Sequence, residues 1–244
     1  MFQMKISKMK FNFSISLLLF SVMIKAQNNL GSWNIVNLNV KLDSKWNLFT
    51  ESQLRSLSFY DQFHYYEIKA GFNYKIKPNF SVTSGFGSYN TYSEGGNFEN
   101  PIKNKEIRTW TQVNLKNPFD YITFEHRYRA EQRFTSNGYR NRFRYRLSVL
   151  VPLEGKKFKP KSFYLSAWDE VFFTDKEPFF ERNRFFIGGG YEFSNALTIQ
   201  TGYIYQFDYK INDETGKAFF NLALLYTIDL SKKSKDDFHP TTND

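Results

Sequence analysis

From Tyr121 to Val151 the side chains alternate in character at every step, and that period admits only a β-hairpin, because successive strand residues point to opposite faces. In the first arm, Thr123, Glu125, Arg127, Arg129, Glu131 and Arg133 form one set, and Ile122, Phe124, His126, Tyr128 and Ala130 form the other. A short turn, Thr135-Ser136-Asn137-Gly138, follows. The second arm sets Arg140, Arg142, Arg144 and Arg146 against Tyr139, Asn141, Phe143, Tyr145, Leu147 and Val149. One face is aromatic and aliphatic; the other is dense in guanidinium and carboxylate.

The same alternation, broken by turn chemistry, continues on both sides of this hairpin. Segments 32–42, 46–57, 63–74, 80–92 and 105–115 precede it, and 163–173, 182–193, 197–209 and 219–230 follow. Longer connections are expected at 93–104, 155–161, 175–178 and 212–216. The segments run to about 10–14 residues, where a tilted membrane-spanning strand needs about 9–11 and a soluble strand averages about five or six. No helical period competes with them. About eleven strands emerge. A barrel with both ends on one side of a membrane needs an even number, so twelve is preferred to ten.

Residues 1–26 resemble a secretory signal peptide. Lys5, Lys8 and Lys10 precede the apolar run ISLLLFSVMI, and cleavage is expected between Ala26 and Gln27. The run is too short to span a bilayer as a helix. The expected organisation is therefore a signal peptide at 1–26, a single barrel domain at 27–230 and a polar tail at 231–244. Four of the charges behind the net +9 fall in the first 26 residues, leaving +5. That balance is too modest to imply nucleic acid. The chain contains no cysteine, which excludes disulfides, thiolate metal sites and lipidation at cysteine. Aromatic residues make up 20% of the chain, more than a soluble core needs but what lipid-facing bulk and interfacial girdles use.

A soluble sandwich would turn the aromatic face inward, and a membrane barrel would turn it to lipid. The leader, the long strands and the alternation of short with longer connections favour an all-β, antiparallel transmembrane barrel of about 10–12 strands. Register is then strongly specified. A one-residue slip of the second hairpin arm would send four arginines to lipid, at a cost on the order of 8–16 kcal/mol if all sat deep. The expected lumen-lining residues are Glu51, Arg55, Glu67 and Arg108; Glu125, Arg127, Arg129, Glu131 and Arg133; Arg140, Arg142, Arg144 and Arg146; and Glu170, Arg182 and Arg184.

Such a wall serves either as a structural network filling a narrow barrel or as a porin-like pathway for small anionic solutes. The alternative from another class is a lipid-acting outer-membrane enzyme. It lacks support from the residues: His64 and His126 fall on the outward face and His239 in the tail, and no nucleophile–base pair is visible. The positions two residues after His64 and His126 are Tyr66 and Tyr128, so the His-x-Ser arrangement of outer-membrane lipid hydrolases is absent. No catalytic residue, metal site or cofactor is expected. Membrane lipid is the expected partner, with anionic solutes beside it and no nucleic acid. Gly188-Gly189-Gly190 has no helix after it and is expected to allow a bend or bulge.

Several motifs carry a family resemblance: Trp46 with Glu51-x-Gln53-x-Arg55, and Glu106-x-Arg108-x-Trp110-x-Gln112. To these are added His126-Arg127-x-Arg129-x-Glu131-Gln132-Arg133-Phe134, Arg142-x-Arg144-Tyr145-Arg146, Glu170-x-Phe172, Asn183-Arg184 and Gly202-Tyr203. From about Trp33 to Leu230 the chain resembles domain of unknown function family 2490, exported β-rich proteins common in Bacteroidota. The resemblance implies an outer-membrane barrel and supplies no activity or site.

Overall fold

The computed structural model describes residues 30–211 and 214–231, so the expected leader and nearly all of the expected tail, His239 included, lie outside the described residues. Each alternating segment is a strand. They are β1 (Leu30–Lys41), β2 (Trp46–Ser58), β3 (Asp61–Lys77), β4 (Phe80–Tyr92), β5 (Ile102–Phe119) and β6 (Ile122–Thr135). Then follow β7 (Gly138–Pro152), β8 (Ser162–Thr174), β9 (Phe180–Glu192), β10 (Leu197–Asp208) and β11 (Thr215–Asp229). Every strand pairs with its neighbour in sequence, and β1 closes the sheet on β11.

The barrel has eleven strands, which corrects the preference for twelve. It is also not antiparallel throughout, because β1 runs parallel to β11 with Trp33 opposite Asn221 and Val40 opposite Ile228. The parallel seam keeps both alternations in phase. Ile35 and Ala223 point in together, while Val36 and Leu224 point out. An odd count therefore closes without exposing polar side chains, and it leaves the start of β1 and the end of β11 at opposite ends of the barrel.

Contacts between strands that are not neighbours identify the inner face. Phe49 of β2 meets Trp110 of β5 at 5.7 Å between ring centres. Arg133 of β6 reaches Glu181 of β9, and Arg184 of β9 lies over the Trp33 ring of β1. The outer face carries exposed apolar side chains on all eleven strands, from Val36, Leu48, Ile68, Phe86 and Ile107 to Phe143, Leu165, Ile187, Tyr203 and Leu224, with a few polar pairs such as Asp169 with Asn183 among them.

The interior is packed and divides into two sectors. Trp33, Ile35, Trp168, Phe186, Ile204, Phe219, Ala223 and Leu225 form one apolar cluster on β1 and β8–β11. The charged residues occupy the wall from β2 to β7 and the adjoining edge of β8 and β9. Inward glycines give the large rings room. A Cβ on Gly188 would come within 2.7 Å of the Phe186 ring and 2.2 Å of the Thr201 carbonyl oxygen, and one on Gly190 would strike Tyr164. The Gly188–Gly190 stretch makes no bulge, since its pairing to β8 and β10 is continuous. Its missing side chains instead admit Phe186 and Tyr164, which corrects the expectation of a bulge.

Turns at the two ends differ. At one end lie 42–45, 78–79, 120–121, 153–161 and 193–196; at the other lie 59–60, 93–101, 136–137, 175–179 and 209–211. In the first of these, Asp43 Oδ1 accepts from the backbone N–H of Trp46 at 2.8 Å and Lys45 at 2.7 Å, which holds its carboxyl below the usual range.

Candidate anion-binding basin

At the end bearing loops 93–101 and 175–179 and residues 209–211 the barrel opens into a cavity of about 760 Å³. Its lining carries twelve Lys and Arg residues against six Asp and Glu, an excess of six positive charges. Strand alternation supplies most of them: Arg55 on β2, Arg108 on β5, Arg133 on β6, Arg140, Arg142 and Arg144 on β7, and Arg182 and Arg184 on β9.

Three further basin residues come from interruptions in the strand pairing. Arg55 pairs with Tyr65 and Ser56 with Phe63, so His64 has no partner on β2. Thr91 pairs with Asn104 and Tyr92 with Ile102, which skips Lys103. Phe172 pairs with Arg182 and Phe173 with Phe180, which skips Glu181. Each skipped residue is the extra residue of a β-bulge, and all three line the basin. Bulges at a barrel rim re-aim a side chain that strict alternation would send outward. The outward placement expected for His64 is corrected on this ground. A fourth irregularity skips Ile76 at the other end, far from the basin.

Beneath the basin the charges are paired into a buried network. Lys69 Nζ lies 2.7 Å from Glu51 and 2.9 Å from Glu67, and Arg55 lies 3.3 Å from Glu67. Arg144 bridges two carboxylates, Glu131 at 2.8 Å and Glu170 at 2.9 Å, and Arg127 also binds Glu170. Arg129 donates to Gln112 Oε1 at 2.8 and 2.6 Å. Rings complete the packing. Arg55 stacks over Trp33 at 3.4 Å and Tyr65 at 4.2 Å, and Arg129 over Trp110 at 4.2 Å. Glu131 and Glu170 are 1% and 0% exposed, so the waist of the barrel is filled.

Of the sixteen residues expected to line the lumen, Arg55, Glu67, Arg108, Arg133, Arg140, Arg142, Arg144, Arg182 and Arg184 reach the basin. Glu51, Arg127, Arg129, Glu131, Arg146 and Glu170 lie buried below it, with Arg146 5.1 Å from the Trp168 ring. Glu125 is nearer the opposite end and pairs with Lys116 at 2.6 Å. Sequence reasoning missed Lys69 and Glu106, although both share the parity of their inward neighbours. It missed Glu181 and Lys103 because their parity is wrong and only the bulges turn them in. On the outer face His126 Nδ1 lies 2.9 Å from the Tyr145 hydroxyl, and Asp169 accepts from Asn183 at 3.0 Å. At the basin rim Lys217 hydrogen-bonds Glu94 at 2.7 Å and holds its carboxyl below the usual range.

The fold and this interior define a closed β-barrel with an apolar outer wall, a packed polar waist and one open, cationic end. The chain belongs to the family described as protein of unknown function DUF2490, whose model matches residues 30–217. Among solved structures it is similar to LpxR from Salmonella typhimurium, an outer-membrane barrel, with a TM-score of 0.51 and 8% sequence identity, over 79% of this chain and 87% of that one. At that identity the likeness is one of fold. No curated protein matches the sequence.

Proposed function

We propose that this protein is an outer-membrane β-barrel, closed to through-flow at its waist, whose open end binds small anionic solutes. The outer wall supports the membrane placement: water would face exposed aliphatic or aromatic side chains on every strand, whereas lipid accepts them. The observation that carries the binding reading is the basin, a cavity of about 760 Å³ with six more cations than acids among its lining residues. Clustered guanidiniums attract and orient anions. The packed waist supports a receptor-like or structural barrel over a pathway: Glu131, Glu170 and Phe186 are at most 1% exposed.

The test has two arms on the full chain refolded into lipid. Planar-bilayer recording is expected to be silent with protein shown to be inserted, and calorimetric titration is expected to detect anion binding that weakens with salt. Discrete anion-selective conductance steps would replace this reading with a porin-like pathway. A protein that stays monomeric in buffer without detergent would overturn the membrane placement.

A further inference from the structure

We infer that the basin's anion site is occupied in the resting protein by its own carboxylate, Glu181, and that it is built for a phosphate-type dianion that displaces it. This rests on the reading of the basin as an anion-binding end.

Glu181 is the extra residue of the β8–β9 bulge, so its side chain leaves the strand's alternation and enters the basin wall. There it meets three guanidiniums. Arg142 grips it through Nε at 2.8 Å and through Nη2, Arg140 Nη2 lies at 3.0 Å, and Arg133 Nη1 lies at 3.4 Å. A carboxylate has two oxygens and one charge. Three converging forks match better a tetrahedral phosphate, with three accepting oxygens and a charge of about −1.5 to −2.

The local charge agrees. Arg108 and Arg133 share Glu106, and Arg140 and Arg142 share Glu181; Arg142 also lies 3.8 Å from Glu131, which Arg144 holds at 2.8 Å, so four guanidiniums face three carboxylates, one of them shared outside the cluster. Replacing Glu181 by a dianion brings this cluster closer to neutrality. The arrangement is also reachable: the Arg140 side chain is 35% exposed and that of Glu181 17%. Glu181 sits beside loop 175–179 and has open basin into which it can swing.

An internal ligand lowers apparent affinity by the fraction of time it holds the site. Removing it therefore strengthens binding, the opposite of what deleting an ordinary contact does. The experiment titrates the refolded full-length chain with inorganic phosphate by calorimetry, comparing wild type with Glu181→Gln, Glu181→Asp and Arg140→Gln. Folding of each is checked by the gel shift between unboiled and boiled samples. Glu181→Gln is expected to bind about tenfold more tightly, the shortened Glu181→Asp to fall between it and wild type, and Arg140→Gln to bind more weakly than wild type. If Glu181→Gln does not fold, Glu181→Asp carries the test alone.

Phosphate binding that is unchanged or weakened in both Glu181 variants would overturn the inference while leaving the basin's anion binding intact. No anion binding by wild type or any variant would sink both. A second arm offers vesicles of phosphatidylcholine with and without phosphatidic acid. Tightening by Glu181→Gln for free phosphate alone assigns a soluble ligand, and tightening for the phosphatidic acid vesicles assigns a lipid headgroup.

Discussion

The two halves of the barrel interior fill the same lumen by opposite means. On β1 and β8–β11 the space is closed by Trp33, Ile35, Phe186, Ile204 and Leu225, in contact with one another and with glycines that make room for rings. From β2 to β7 and the adjoining edge of β8 it is closed by charges neutralised across strands: Glu170 of β8 is shared by Arg127 and Arg144, and Glu131 of β6 pairs with Arg144 of β7. Trp33 is the hinge between the two, donating its Nε1–H to Gln53 at 2.9 Å while carrying Arg55 on its face. The difference lies in what an error leaves behind. A deletion in the apolar sector leaves a void, whereas a deletion in the charged sector leaves an ion stranded in a dry interior.

Glu170→Ala is the sharpest way to break this comparison. It strands the buried Arg127 guanidinium and takes from Arg144 one of its two carboxylates at a position 0% exposed, and about 4 kcal/mol of stability should be lost in urea unfolding from lipid. A loss no larger than a cavity would produce means water reaches the waist and the charged sector is wetter than its geometry implies. Ile204→Ala probes the other sector and should cost about 3 kcal/mol, independent of ionic strength. At the rim, Glu94→Gln should shift stability by less than about 1 kcal/mol, since this pair with Lys217 is solvent-exposed. Because the Glu94 carboxyl is held below its usual range, its contribution is present at neutral pH and disappears as pH falls through that lowered value. Wild type and the variant should therefore converge in acid.

Much of the wall was legible in the chain. Alternation placed the arginines of β6 and β7 on one face, and the cost of arginine in lipid chose which face is inside. The same parity put Trp110, Trp168 and Gln112 with the polar set, although nothing local announced that one sector of the lumen would be apolar. Phe186 and Ile204 share inward parity with Arg184 and Gln206, and their role appears only when β1 closes on β11 and brings Trp33 among them.

Local chemistry thus determined the strands, their inner and outer faces and the charge of the wall, because side-chain direction in a strand repeats every two residues. Tertiary structure alone decided the odd count, the parallel seam and the identity of the basin. Closure depends on whether two distant strands keep their faces in phase, which both parallel and antiparallel pairing allow. The bulges that turn His64, Lys103 and Glu181 inward are properties of a pair of strands, invisible in either strand alone. The arginines of the open end follow strand parity, whereas these three residues reach it although their parity points the wrong way.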